Sequence, residues 1–385
     1  MKYPIGIQDF EDLQRNGYAY VDKTNFVYKL ADEGKYYFLS RPRRFGKSLF
    51  LSTLEAYFQG KKELFEGLAI YDLETEWKKY PIFHIDLNTA NFREKDSLYT
   101  VLNDYLTTWE SKYGTRESEA TLALRFKGVI ARAAEKEGRG VVILIDEYDK
   151  PILQTLRDPE LQAEHRAQLK AFYSVLKTQD RYIKFAFLTG VTKFGKVSVF
   201  SDLNNLTDIS MDHRYISICG MTEKELRTNF KEGIGELASA NEDNETETID
   251  KLRMRYSGYH FEENSEEIYN PFSILNTLAN SHYDDYWFKA DTHIFLIDIL
   301  KKHDYCITDL NKTQVKANMM NNVDFNPFLV IYQSGYLTIK SYDERFKNYQ
   351  LGFPNKEVEE GILNTLLPHG CKTAEMDCLG VKVNY

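Results

Sequence analysis

At 385 residues and 43% hydrophobic content, with no run of about 18 apolar side chains, the chain can fill two or more packed cores and holds no candidate membrane-spanning stretch. A formal net charge of −9 argues against a protein that coats nucleic acid over its whole surface, and leaves only a local basic face open. The four cysteines, Cys219, Cys306, Cys371 and Cys378, form no Cys-x-x-Cys and have no histidine pair at zinc spacing, which argues against a zinc site or a disulfide framework.

Met1-Lys2-Tyr3-Pro4 starts no signal peptide, so a cytoplasmic protein is expected. Tyr3 to Leu30 contains Tyr20-Val21-Asp22-Lys23-Thr24 and then an amphipathic run, Phe26, Val27 and Leu30, with Asp22 or Thr24 placed to cap it. A segment just ahead of the first core strand often lies against the base of a bound nucleotide. By that analogy Asp22 and Lys23 become candidate nucleotide contacts.

The apolar run Tyr36-Tyr37-Phe38-Leu39 leads into Ser40-Arg41-Pro42-Arg43-Arg44-Phe45-Gly46-Lys47-Ser48, and a helical pattern follows from Leu49 to Phe58. Strand, tight loop, helix is the setting of a phosphate-binding loop, in which backbone N–H groups, a lysine and a hydroxyl hold phosphates and a magnesium ion. Arg43, Phe45, Gly46, Lys47, Ser48 and Leu49 are the candidate phosphate contacts, with Ser48 also a candidate metal ligand. The usual pattern opens on glycine where Arg41 stands. Taken alone, Gly46-Lys47-Ser48 also fits a basic turn at a helix start.

Pro81 to Leu87 is a second strand in this reading, and Asp96–Tyr113 and Ser118–Glu137 have helical periodicity. Val141-Val142-Ile143-Leu144-Ile145 has the composition of a strand buried on both faces, and it ends in Asp146-Glu147. Acids at the C-terminal end of such a strand sit where open α/β sheets bind ligands, although an isolated Asp-Glu also begins helices. Together with Gly46-Lys47-Ser48 they suggest a metal-holding aspartate, Asp146, and a water-polarising glutamate, Glu147.

A helix over Glu160–Thr178 precedes Ile183 to Gly190, a buried strand ending in Thr189, which either senses a γ-phosphate or merely ends the strand; Thr192 and Lys193 are weaker candidates. His213 to Ile218 is expected to be a fifth strand. Five strands alternating with helices give an α/β fold, a doubly wound parallel sheet.

The strings Tyr20–Thr24, Phe38–Ser48, Leu144–Pro151, Leu188–Phe194, Ser257–Phe261 and Tyr269–Ser273 resemble a bacterial family of predicted AAA-ATPase-like proteins, over about Pro4 to Pro354. The resemblance implies a P-loop NTPase that binds ATP and Mg2+, with Lys47 and Ser48 on the phosphates and metal, Asp146 on the metal and Glu147 as base. Arg41, Arg43 and Arg44 place three guanidinium groups beside Lys47, and one of them, Arg44 in particular, is a candidate arginine finger. The alternative is contact with the domain's own carboxylates.

Past residue 219, Thr222 and Glu225 have the spacing of a capping box. Glu236–Asp250 reads as a solvated helix or loop, and residues 220–290 as a small helical lid. His293–Lys302, Thr313–Met319 and Asn326–Ser334 read as helices, with Tyr336–Lys340 and Asn348–Phe353 as two strands, a winged-helix-like domain over 291–354. The segment Asn326 to Tyr332 is apolar where a DNA reader would carry Arg, Lys or Asn, which favours a structural role. In the resembling family an Asn-x-Glu-Val helix leads into a restriction-endonuclease-like nuclease domain. Here Asn355-Lys356-Glu357-Val358 leads into too few residues for one, so 355–385 is expected to be a loosely ordered stub. Besides ATP, a protein partner is possible, and two rival functions stay open: a nucleotide-gated scaffold with little hydrolysis, and a DNA-binding regulator.

Overall fold

The computed structural model describes residues 1–193, 205–289, 313–320 and 327–366, with Leu296, Leu310 and Asn311. The first half is a parallel sheet wrapped by helices. In chain order it runs α1 (Phe10–Arg15), α2 (Thr24–Glu33), β1 (Tyr36–Ser40), α3 (Lys47–Phe58), α4 (Ala69–Leu73), β2 (Ile82–Asp86), α5 (Ser97–Tyr113), α6 (Leu122–Glu137), β3 (Val141–Asp146), α7 (Lys150–Gln154), α8 (Pro159–Thr178), β4 (Ile183–Gly190) and β5 (Thr207–Asp208).

The strands lie side by side as β2-β3-β4-β1-β5, all parallel. Every residue of β1 and β3 is buried, so both faces of the sheet are covered, as their unbroken apolar runs require. Register places Leu39 opposite Thr189, and Ile145 opposite Leu188. The C-terminal ends of β1, β3 and β4 therefore share one rim, with β4 standing between the loop-bearing strand and the acid-bearing one.

The fifth strand is the short Thr207–Asp208 pair on β1, not His213–Ile218, which coils as a 3-10 turn capped by the Asp212 side chain. An Asp accepting from the backbone two residues on favours a turn over an extended ladder. The N-cap position of α2 is Lys23, which makes no side-chain cap; Asp22 just before it accepts from the Thr24 N–H at 2.8 Å and from Ala69 N at 2.7 Å.

Residues 221–280 build a separate helical bundle from α9 (Glu223–Asn229), α10 (Lys231–Ala240), α11 (Glu245–Tyr256) and α12 (Pro271–Asn280). The Thr222/Glu225 capping box is formed. Glu236–Asp250 is not a mere solvated segment: it spans the end of α10 and the start of α11, and Leu237 and Ile249 fill the bundle's own apolar core. A second capping box, Asn244 with Glu247, opens α11.

After α13 (Tyr286–Lys289) come β6 (Gln314–Lys316), the Pro327–Gln333 helix, β7 (Thr338–Asp343) and β8 (Asn348–Gly352), an antiparallel sheet in the order β6-β8-β7. Thr313–Met319 is thus not a helix but an edge strand followed by a 3-10 turn, because Val315 packs inward while Gln314 and Lys316 face solvent in a period of two. Of the expected His293–Lys302 helix, all but residue 296 lies outside the described residues. In the Pro327–Gln333 helix Leu329 to Gln333 are all buried. The C-terminal helix Lys356–Leu366 is not loose: Asn355, Glu357, Val358 and Ile362 are buried, and residues 367–385 lie outside the description.

Candidate nucleotide site

The loop after β1 has to reverse direction and start α3 without a side-chain cap. Gly46 does this with φ +94°, in the left-handed region, and no atom stands within 4 Å of where a Cβ would be. Arg44 and Glu147 also take positive φ, +64° and +52°, although both carry a Cβ. Such positions cost roughly 1–3 kcal/mol each and collect where geometry is fixed for function.

Lys47, buried on the first turn of α3, sets its ammonium 3.2 Å from Glu147 Oε1, and donates to the carbonyls of Arg41 at 3.2 Å and Pro42 at 3.3 Å. Phosphate-loop lysine and strand-end glutamate, far apart in sequence, thus meet at the rim. Asp146 is buried beside them. Its Oδ1 accepts from the Thr189 hydroxyl at 2.5 Å and from the Glu147 N–H at 3.0 Å. Thr189 is fully buried and meets Asp146, so β4 steadies the carboxylate instead of presenting its hydroxyl to the cleft.

A cleft of about 1780 Å³ opens over Lys47 and Glu147, while Asp146 and Thr189 lie buried behind its lining. Arg43, Arg44, Phe45, Gly46, Lys47, Ser48, Leu49 and Glu147 line it, and so do Tyr20, Val21 and Lys23 from the N-terminal segment. Asp22 does not, its carboxylate being held by Thr24 and by Ala69 N. Lys23 reaches the lining but its ammonium pairs with Glu225 at 2.6 Å, and burial holds its pKa below the ordinary lysine value.

Arg41 departs from the expected cationic loop. Its guanidinium is turned into the interior, donating to the carbonyls of Ser40, Ser210 and Tyr215 and stacking on the Phe261 ring at 3.9 Å. It contacts carbonyls, where carboxylates were the alternative. The Arg44 guanidinium lies over Phe272 of α12 at 4.2 Å, and Phe45 packs edge-on against Tyr259 at 4.8 Å. Among the described residues no group of three or more His, Cys, Asp or Glu could hold a metal. A Ser48 hydroxyl and an Asp146 carboxylate are hard oxygen donors of the kind magnesium takes when phosphates and water complete its shell.

Two residues that brace the site, Asp149 and Trp287, escaped sequence reading. Asp149, fully buried, accepts from Val191 N at 3.2 Å, Thr192 N at 2.6 Å and Thr192 Oγ1 at 2.5 Å, tying the turn after β4 to the end of β3. Burial, and then the nearby Glu147 charge, push its pKa up to about 6. The only signal was its position three residues after Asp146. Lys193 forms a buried pair with Asp208 at 3.1 Å, so it is spoken for. Trp287 donates its indole N–H to the Arg43 carbonyl at 3.1 Å, a contact across 244 positions that no local pattern announces.

A parallel β2-β3-β4-β1-β5 sheet with a Gly-Lys-Ser loop after β1 and an Asp-Glu pair at the end of β3 defines a P-loop nucleotide-binding fold. The match to the family described as predicted AAA-ATPase extends over residues 4–200, and the chain belongs to that family. A curated relative, described as an uncharacterized protein in the vnfD 5' region of Azotobacter chroococcum mcd 1, is 37% identical over 372 residues, covering 95% of this chain and 70% of its own length. The ORC2 protein of Aeropyrum pernix, solved as ADPNP-ADP complexes, aligns over 93% of this chain and 94% of its own at 12% identity and a TM-score of 0.29, too loose to bear on fold or function.

Proposed function

We propose that the chain binds ATP with magnesium in this cleft and hydrolyses it. The observation that carries the reading is the 3.2 Å approach of Lys47 to Glu147, under a cleft lined by Arg43, Gly46 and Ser48. Backbone N–H groups at the start of α3, the Lys47 ammonium and the Arg43 guanidinium bind and orient the phosphates. The wall formed by Pro4, Ile7, Tyr20 and Val21 takes the base.

Phosphates entering beside Lys47 draw its ammonium away from Glu147, and the freed carboxylate accepts a proton from the attacking water. Ser48 and Asp146 would hold the metal, which when bound supplies positive charge against the phosphate oxygens. Thr189 keeps Asp146 in place.

The test is a pair of variants followed by calorimetry and phosphate release. Lys47→Ala removes charge-assisted bonds and is expected to weaken ATP binding by about tenfold to a hundredfold. Glu147→Gln is expected to retain binding and lose turnover by about a hundredfold or more. Wild-type turnover in Glu147→Gln overturns the base assignment.

A second reading, a nucleotide-gated scaffold, draws support from the grip of Trp287 and Phe272 on the loop. It predicts tight ATP binding without phosphate release. A DNA-reading role has less behind it, since Leu329 to Gln333 of the Pro327–Gln333 helix are buried.

A further inference from the structure

Lys47 follows β1 and Glu147 follows β3, and these strands do not touch, because β4 lies between them. The 3.2 Å approach of the two side chains therefore depends on what spans β4, and the span is the turn after it, residues 190–193. On the phosphate-loop side Arg41 N donates to the Gly190 carbonyl at 3.2 Å, and the Ser40 hydroxyl donates to the Val191 carbonyl at 2.6 Å. On the other side the Tyr148 hydroxyl donates to the Thr192 carbonyl at 2.8 Å. Asp149 accepts there from Val191 N at 3.2 Å, Thr192 N at 2.6 Å and the Thr192 hydroxyl at 2.5 Å. One turn is thus fastened both to the loop that leads to Lys47 and to the turn that carries Glu147.

The fit leaves no slack. A Cβ on Gly190 would stand 2.5 Å from Asp149 Oδ1 and 2.6 Å from the Tyr148 ring. Lys193 N, at the end of the turn, donates to Gln333 Oε1 at 2.7 Å, which holds the turn from a third side. Glu147 meanwhile keeps φ +52°, a conformation that a residue with a Cβ holds only where its surroundings over-determine it. Its N–H donates to Asp146 Oδ1, which Thr189 also holds, and its carbonyl accepts from Lys150 N at 3.0 Å. Asp146 therefore brackets the left-handed residue on one side and Asp149 on the other, each tied to the end of β4. Converging donors of this kind suit a carboxylate, whose oxygens only accept.

We propose that Asp149 is a positioning residue for ATP hydrolysis: by gripping the 190–193 turn it holds the Glu147 carboxylate facing Lys47 across the rim. Asp149 is fully buried and does not line the cleft, so it acts on the reaction only through Glu147. The kinetic consequence rests on the reading of Glu147 as base, whereas the geometric one rests on the fold alone.

The test is Asp149→Asn in the full chain, which keeps the volume but turns one acceptor into a donor facing the donors of the turn. Phosphate release is expected to lose about tenfold to a hundredfold in kcat, with KM for MgATP within about threefold. In a Glu147→Gln background the same substitution is expected to cost less than about twofold, because a residue that acts through Glu147 has nothing left to position. Thr192→Val removes one of the three bonds and is expected to give a smaller loss with the same dependence on Glu147, which keeps the test open where Asp149→Asn does not fold. A crystal structure of either variant without nucleotide is expected to show Lys47 and Glu147 more than about 4 Å apart. An equal loss in both backgrounds, a change in KM alone, or an unmoved Glu147 overturns the proposal. If the wild type releases no phosphate while Glu147 still moves in the variant crystal, the hydrolysis reading falls and the positioning role stands.

Discussion

Thr189 shows how one hydroxyl can matter without touching a ligand. Its Oγ1 donates to Asp146 Oδ1, and its carbonyl accepts from Tyr148 N at 3.0 Å, so it sets the carboxylate and the start of the Glu147 turn together. Replacing it with the near-isosteric valine leaves Asp146 short of a buried donor, a loss of about 1–3 kcal/mol. Thr189→Val is therefore expected to lower turnover about tenfold while ATP affinity, set mainly by the loop, changes far less; steady-state kinetics read the split. That Lys47 and Glu147 would meet at one rim was legible in the sequence, because a lysine just after one buried strand and an acid ending another both stand at C-terminal strand ends. The place of Arg41 was not. Whether a guanidinium faces a cleft or an interior depends on carbonyls such as those of Ser210 and Tyr215, about 170 positions away in the chain, and nothing local encodes them.

Among the elements, the C-terminal helix Lys356–Leu366 is the one whose role the sequence most understated. Glu357 on its first turn is wholly buried, accepting from the Ser273 hydroxyl at 2.8 Å and from Trp287 N at 2.8 Å. Asn355 just ahead of it donates to the Ser257 carbonyl at 2.7 Å. One helix start thereby fastens α12, α13 and the turn after α11. Burial raises the Glu357 pKa to about 8, from 4.5. The folded state holds this proton where an unfolded chain releases it, so the stability tied to the neutral acid is whole below pH 4.5 and is lost as pH climbs through 8. Urea unfolding at pH 6 and pH 9 is expected to show a fall in stability that Glu357→Gln reduces. An equal fall in both proteins would place the titrating group elsewhere. The Asn-x-Glu-Val start of this helix was visible in sequence, but its partners were not, since Ser273 and Trp287 lie 84 and 70 positions away. The strands fared by length: β1 and β3 announced themselves through uninterrupted apolar runs, whereas the two-residue β5 carries no pattern at all.

On the scale of the molecule, two apolar cores divide the labour among the described residues. The sheet, its helices and the Pro327–Gln333 module share one continuous core, while α9 to α12 enclose another. Gly335 takes φ +92°, and a Cβ there would stand 2.7 Å from Pro42, so the module's turn lies directly on the phosphate loop. The cleft is consequently walled by all three parts, with Pro271, Phe272 and Leu275 from the bundle and Val330 and Tyr336 from the module. A ligand that touches every wall stabilises the assembly as a unit. At a concentration of a hundred times Kd, MgATP is expected to add about 2.7 kcal/mol, read as a rise of several degrees in Tm that Lys47→Ala does not show. The two cores were foreshadowed by composition, but which part would join the sheet and which would stand alone depended on long-range packing.

One of the three tryptophans of the chain hangs its indole on the backbone of the phosphate loop itself. Indole emission follows the hydrogen bonding and polarity around its ring, so the Trp287 contact with Arg43 makes the protein its own optical reporter. A shift in loop position becomes a change in emitted light, with no dye attached.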